Sequence, residues 1–166
     1  MNKNIIIKCC ILPCFIIVVF QTYSYAKDAP LFALFSNKGD LVQLSSVIKK
    51  SDVLIVFFAS YCAPCKTEIP EIIKLHDRYG SRFNLLFVNI DKEGKPAAES
   101  VLNELGIINY TCLLDIYQKS IKKYSPLLTI PAFFLVDKKG KIKYESIGYK
   151  AESINSFEKY LDAAKK

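Results

Sequence analysis

The chain has 166 residues and a formal net charge of +7, with 23 Lys+Arg against 16 Asp+Glu. It lacks tryptophan but carries 11 Phe and 10 Tyr, and 51% of it is hydrophobic, which suits one domain with a packed core and excludes a disordered or repeat-built chain. The lysines are scattered in small clusters such as Lys49-Lys50, Lys122-Lys123 and Lys138-Lys139. No basic helix face or aromatic-interleaved patch results, so no nucleic-acid role is expected, and weak attraction to an anionic membrane is the most this charge implies.

In chain order, Lys3 and Lys8 flank the start of an apolar stretch over residues 9–20, broken by Pro13. Ser24-Tyr25-Ala26 follows, with small residues at its first and third places. This is the pattern of a secretory signal peptide cleaved after Ala26. The alternative is an uncleaved anchor, although the run falls short of the roughly 20 apolar residues a spanning helix needs. A lipoprotein reading through Cys14 is disfavoured by Pro13 before it. Residues 27–166 then form a single domain in a periplasmic or other extracytoplasmic compartment, with monomer as the expected state. Cys9, Cys10 and Cys14 leave with the leader, and Cys62, Cys65 and Cys112 remain. Three cysteines do not make a disulfide scaffold, so Cys62 and Cys65 read as a working pair.

Residues 31–34 and 41–44 read as short strands joined by a turn at Asn37-Lys38-Gly39-Asp40. Residues 53–59 form an apolar run, the signature of a buried strand. Directly after it comes Tyr61-Cys62-Ala63-Pro64-Cys65-Lys66-Thr67-Glu68-Ile69-Pro70. The two cysteines therefore fall where a strand ends and a helix, 63–79, begins. Unpaired amides and the helix dipole there favour a thiolate at Cys62, the species that attacks disulfides. Cys65 lies one turn on, close enough to resolve a mixed disulfide. Pro70 should kink this helix and Gly80 should stop it. His76, the only histidine, reads as a surface residue. One histidine and one C-x-x-C do not complete a zinc site, so no metal and no other cofactor is expected.

A second buried strand follows over 83–90, and a helix over 96–105 closes at Gly106. A short strand covers 111–114, where Cys112 reads as a small buried hydrophobe. A short helix spans 116–124. Residues 132–136 and 141–146 form a hairpin across Asp137-Lys138-Lys139-Gly140, and an amphipathic helix, 151–164, closes the chain. The order predicts an α/β fold, a central mixed sheet with helices on both faces. The motif sits at the carboxyl end of a central strand, where such sheets place their sites.

With these residues placed, the chain resembles the thioredoxin superfamily and, within it, the TlpA/ResA branch of extracytoplasmic thiol–disulfide oxidoreductases. Three features carry the resemblance, which runs over nearly all of residues 29–165. Cys62-x-Pro64-Cys65-x-x-Glu68-x-Pro70 places the branch's glutamate and helix proline. Thr129-Ile130-Pro131 is similar to the family's cis-proline loop. Ala29-Pro30-Leu31-Phe32 with Gly39 is similar to the branch's added N-terminal β-hairpin. There are departures. Tyr61 stands where tryptophan is usual, and can still supply an aromatic wall. Val56 stands where cytoplasmic thioredoxin buries an aspartate, which leaves Glu68 as the best carboxylate for proton transfer. Ala132-Phe133 replace a frequent pair of threonines, and the segment after Pro131 lacks the glutamate of the CcmG type.

The resemblance implies an enzyme working through a redox-active Cys62/Cys65 disulfide. Cys62 attacks, Cys65 resolves, and Glu68 exchanges the Cys65 proton. Ala63 and Pro64 tune the turn, and Tyr61, Ile130 and Pro131 meet the substrate. It further implies reduction of disulfides in exported proteins, including apocytochrome c, with electrons from a membrane thiol transporter of the CcdA/DsbD kind. The alternative with the same fold is an oxidase that forms disulfides, although the chain lacks the large helical insertion of the DsbA type. A non-enzymatic copper- or haem-binding module is the alternative of another class. The copper carriers of the Sco type use C-x-x-x-C, and a peroxidase would need P-x-x-x-T-x-x-C, which Phe57-Phe58-Ala59-Ser60 ahead of Cys62 does not provide.

Overall fold

The computed structural model describes residues 27–80 and 82–164. The leader expected over residues 1–26 lies outside the described residues. Among the described residues, no helix is long and apolar enough to cross a membrane.

Five strands form one mixed sheet in the order β5-β4-β3-β6-β7. They are β3 (Val53–Phe58), β4 (Asn84–Asn89), β5 (Cys112–Leu114), β6 (Ala132–Val136) and β7 (Ile142–Ile147). β3 pairs parallel with β4 and antiparallel with β6, and β4 pairs parallel with β5. All six residues of β3 and all five of β6 are buried. That explains their unbroken apolar sequence: a strand covered on both faces has no polar alternation. Side chains on successive strand residues point to opposite faces. On one face Phe57 and Phe134 meet Tyr124 of α4 (Ile121–Tyr124), with ring centroids 5.3 and 4.9 Å apart. On the other, Phe133 meets Phe157 of α5 (Ser153–Ala163) at 5.4 Å. Helices thus cover both faces, as the alternating pattern predicts.

The N-terminal hairpin is present. β1 (Ala33–Phe35) and β2 (Leu41–Gln43) pair antiparallel, and a bridge from Ser36 to Leu113 ties them to β5. The expected second strand, 41–44, is shorter. Leu44 opens a five-residue helix, α1 (Leu44–Ile48), which buries Leu44 and Ile48 one turn apart. So short a helix shows too few residues for its period to be read.

The long helix α2 (Ala63–Tyr79) has the expected bounds and continues through Pro70, whose missing N–H leaves the Lys66 carbonyl without its helical partner. Gly80 ends it in right-handed geometry, not as a left-handed cap. α3 (Lys95–Leu102) ends before the expected residue 105, and the chain turns at Gly106, whose φ of +72° suits a residue without Cβ.

The helix expected over 116–124 is corrected to α4 alone. The Asp115 carboxylate accepts hydrogen bonds from the backbone N–H groups of Lys119 (3.0 Å), Ser120 (2.9 Å) and Ile121 (2.8 Å). An aspartate that bonds backbone amides competes with helix formation over the residues it wraps. Asp115 is buried, so Asp115→Ala strands these donors. It is expected to lower unfolding free energy by roughly 2 kcal/mol, read from urea denaturation.

Candidate active site

The carboxyl end of β3 and the start of β6 lie side by side, because Phe57 pairs with Ala132 in the antiparallel register. The turn after β3 and the loop before β6 therefore share one pole of the sheet. The first carries Tyr61 and Cys62, and the second Thr129, Ile130 and Pro131. The Ile130–Pro131 peptide bond is cis, as the resemblance implies. The Pro131 carbonyl accepts the Gly148 N–H at 2.9 Å, which ties this loop to the end of β7. Ile130 is half-buried and Pro131 buried.

Cys62 is the residue that caps the N-terminus of α2, with extended backbone. Its sulfur accepts the Cys65 N–H at 3.2 Å, the bond an N-cap side chain makes to an otherwise unpaired amide. A developing charge on this sulfur would be held by the same donor. Cys62 and Cys65 form a disulfide, with Cα atoms 5.3 Å apart. Cys62 is 5% exposed and Cys65 is 0% exposed, so the sulfur a partner can approach is that of Cys62. Ala63 and Pro64 are exposed in the first turn, and Tyr61 is 69% exposed beside them.

Glu68 lies one turn beyond Cys65 on the inward side of α2 and is 2% exposed. Among the described residues, neither carboxylate oxygen has a hydrogen-bond partner. Burial pushes its carboxyl up to about 7, and the nearby Ser153 hydroxyl, itself bonded to Ser146 at 3.2 Å, offsets this in part. Its charge is felt by Tyr144 on β7. A buried acid that titrates near neutrality can take a proton and return it. Val56 on β3 is fully buried and offers no carboxylate.

Cys112 is fully buried on β5, and burial pushes its thiol up to about 12, which makes it inert in exchange. His76, expected at the surface, is only partly exposed, with its ring edge-on to Phe83 (5.6 Å) and Tyr110 (6.0 Å). Among the described residues, no group of three or more His, Cys, Asp or Glu could hold a metal ion.

Sequence reasoning missed Asp91. It lies just past β4, is 1% exposed, and reaches back to Ser60 in the turn before Cys62. Its signal was positional: an acid placed directly after a buried strand, at the end of the sheet that carries the site.

The profile of the AhpC/TSA family matches residues 25–145. The thiol-disulfide oxidoreductase ResA of Bacillus subtilis is 29% identical over 137 residues, which cover 81% of this chain and 73% of that protein. Among solved structures, a Chlorobium tepidum protein assigned as thiol:disulfide interchange protein DsbE superposes with a TM-score of 0.72 at 26% identity. That match covers 84% of this chain and 96% of the other. A Bacteroides thetaiotaomicron protein assigned as a protein disulfide isomerase gives a TM-score of 0.70 at 27% identity, covering 82% and 87%.

Proposed function

Because the chain belongs to the AhpC/TSA family and is a thiol–disulfide oxidoreductase of the ResA/DsbE type, we propose that it reduces disulfides in exported proteins, apocytochrome c among them. In this reading residues 1–26 direct export, and residues 27–166 act as a monomeric domain in the periplasm or another extracytoplasmic space. The observation that carries the direction is the buried Glu68, one turn from Cys65. A carboxylate there opposes thiolate formation, and a destabilised thiolate favours the disulfide and makes the dithiol a stronger reductant. Among the described residues between α2 and β6 there are two helices, α3 of 8 residues and α4 of 4. These are too small to be the helical insertion of the DsbA type.

The Cys62 thiolate attacks one sulfur of the substrate disulfide. A Cys62–substrate disulfide forms, and the other substrate sulfur leaves as a thiolate. Cys65 gives its proton to Glu68 and attacks the Cys62 sulfur. The substrate departs as a dithiol, having gained two electrons, and Cys62–Cys65 is left as the disulfide. Tyr61 and the Ile130–Pro131 loop flank this exchange and receive an extended substrate segment. A membrane thiol transporter of the CcdA/DsbD kind returns the electrons.

The test is the reduction potential of the Cys62/Cys65 pair, equilibrated with glutathione or dithiothreitol. A reductant is expected near or below roughly −250 mV. A value near about −120 mV would mark an oxidase and overturn the proposed direction.

A further inference from the structure

We propose that Asp91 is a positioning residue for the exchange reaction: its buried carboxylate clasps the turn that presents Cys62 and places a negative charge beside it that keeps the dithiol reducing. The second half of this inference rests on the reductant reading above.

The geometry of the clasp is specific. Asp91 Oδ2 accepts the Ser60 backbone N–H at 2.8 Å, and Oδ1 accepts the Ser60 hydroxyl at 3.0 Å. Asn89 Nδ2 donates to Oδ2 at 2.6 Å, and Asn89 Oδ1 in turn accepts the Asp91 N–H at 3.1 Å. Three donors thus converge on one side chain, the arrangement that suits an acceptor-only carboxylate. Asn89 is itself fixed as the last residue of β4, and its carbonyl accepts the Asp115 N–H at 2.8 Å. The clasp is therefore anchored in the sheet, with its free end on the turn.

What it holds is the approach to the nucleophile. The Cys62 N–H donates to the Ala59 carbonyl at 3.1 Å, so residues 59–62 close a tight turn with Ser60 inside it. The two bonds from Ser60 to Asp91 settle how that turn sits on the sheet, and hence where the Cys62 sulfur meets the end of α2. A sulfur displaced from the helix end loses the amide donor that holds its thiolate.

The charge acts in addition. Burial is the main cause that raises the pKa values of Tyr61 in the turn and Cys112 on β5, and the Asp91 charge raises both further, with Glu93 adding to the effect on Tyr61. Lys66, the one cation of the motif, is paired with Glu104 at 3.0 Å. An anion bonded to Ser60, two residues before Cys62 in the chain, offsets the helix N-terminus, makes the thiolate less stable and favours the disulfide.

Two variants separate position from charge. In Ser60→Ala the hydroxyl contact is lost and the charge remains. Its exchange rate is expected to fall about threefold, with the glutathione equilibrium constant unchanged within about twofold. In Asp91→Asn the charge is lost. Its equilibrium constant is expected to move roughly tenfold toward the dithiol, a rise of about 30 mV for a two-electron couple. An Asp91→Asn equilibrium constant equal to wild type overturns the charge half, and a Ser60→Ala rate equal to wild type overturns the clasp. Should Asp91→Asn fail to fold, Asp91→Ser, which also removes the charge, is read by the same equilibrium, and a constant equal to wild type again overturns the charge half. The wild-type potential judges the direction of the enzyme, while the differences between variants judge Asp91.

Discussion

Cys62→Ala is expected to abolish disulfide exchange, whereas Cys65→Ala is expected to accumulate mixed disulfides with substrates. The two sulfurs differ in access. Cys62 reaches the surface at the cap of α2, and its sulfur already accepts the Cys65 amide, so it can leave the disulfide as a stabilised thiolate. Cys65 has no exposed surface and can meet only the sulfur of Cys62. Without Cys62 no accessible thiol remains among the described residues, because Cys65 and Cys112 are fully buried and burial pushes the Cys112 thiol up to about 12. A loss of several orders of magnitude in rate is expected, of the size seen when a covalent nucleophile is deleted. Without Cys65 the first attack proceeds and the resolving step fails, so substrate stays attached. Non-reducing electrophoresis reads both outcomes. A Cys62→Ala protein that reduces substrate at the wild-type rate would place the chemistry elsewhere.

Glu68→Gln is expected to stabilise the oxidised protein in neutral and alkaline solution and to flatten the pH dependence of exchange. The folded protein holds this carboxyl at about 7, against 4.5 for an ordinary glutamate. Below 4.5 both folded and unfolded chains carry the proton, and burial of the neutral acid incurs no charge penalty. Between 4.5 and 7 the unfolded chain gives up its proton first, so stability falls as pH rises through this window. Above 7 the loss levels off at about 3 kcal/mol, the free energy of a shift of this size. Glutamine never ionises. The variant should gain about 1–3 kcal/mol over wild type at pH 8, and no comparable gain at pH 4, in urea denaturation. The same change removes the acceptor for the Cys65 proton, so the rate should lose its inflection near neutrality. An unchanged rate profile with the stability gain intact would make Glu68 a buried structural acid only.

Much of the site is legible because its signals are local. Cys62, Cys65 and Glu68 lie within seven residues of one another, and the strand before them is apolar throughout. The bounds of α2 and β6 also follow directly from the pattern, α2 from its helical period and β6 from an unbroken apolar run between Pro131 and Asp137. α1 is too short for that, and the chain after Asp115 departs from its apparent helical spacing because one side chain takes up three backbone donors.

Chain order, the mixed sheet and the redox motif were thus determined by the sequence alone, through hydrophobic period, turn residues and spacing, and the cis-proline loop through the resemblance of Thr129-Ile130-Pro131 to the family's pattern. What tertiary structure decided is the environment of the two carboxylates. Glu68 could have faced water from the same helix; packing against β7 and α5 buries it and raises its pKa. Asp91 stands 31 residues from Ser60, and only the parallel pairing of β3 with β4 brings them together. Burial and long-range hydrogen bonding depend on which surfaces meet. Residue spacing along the chain carries no such information.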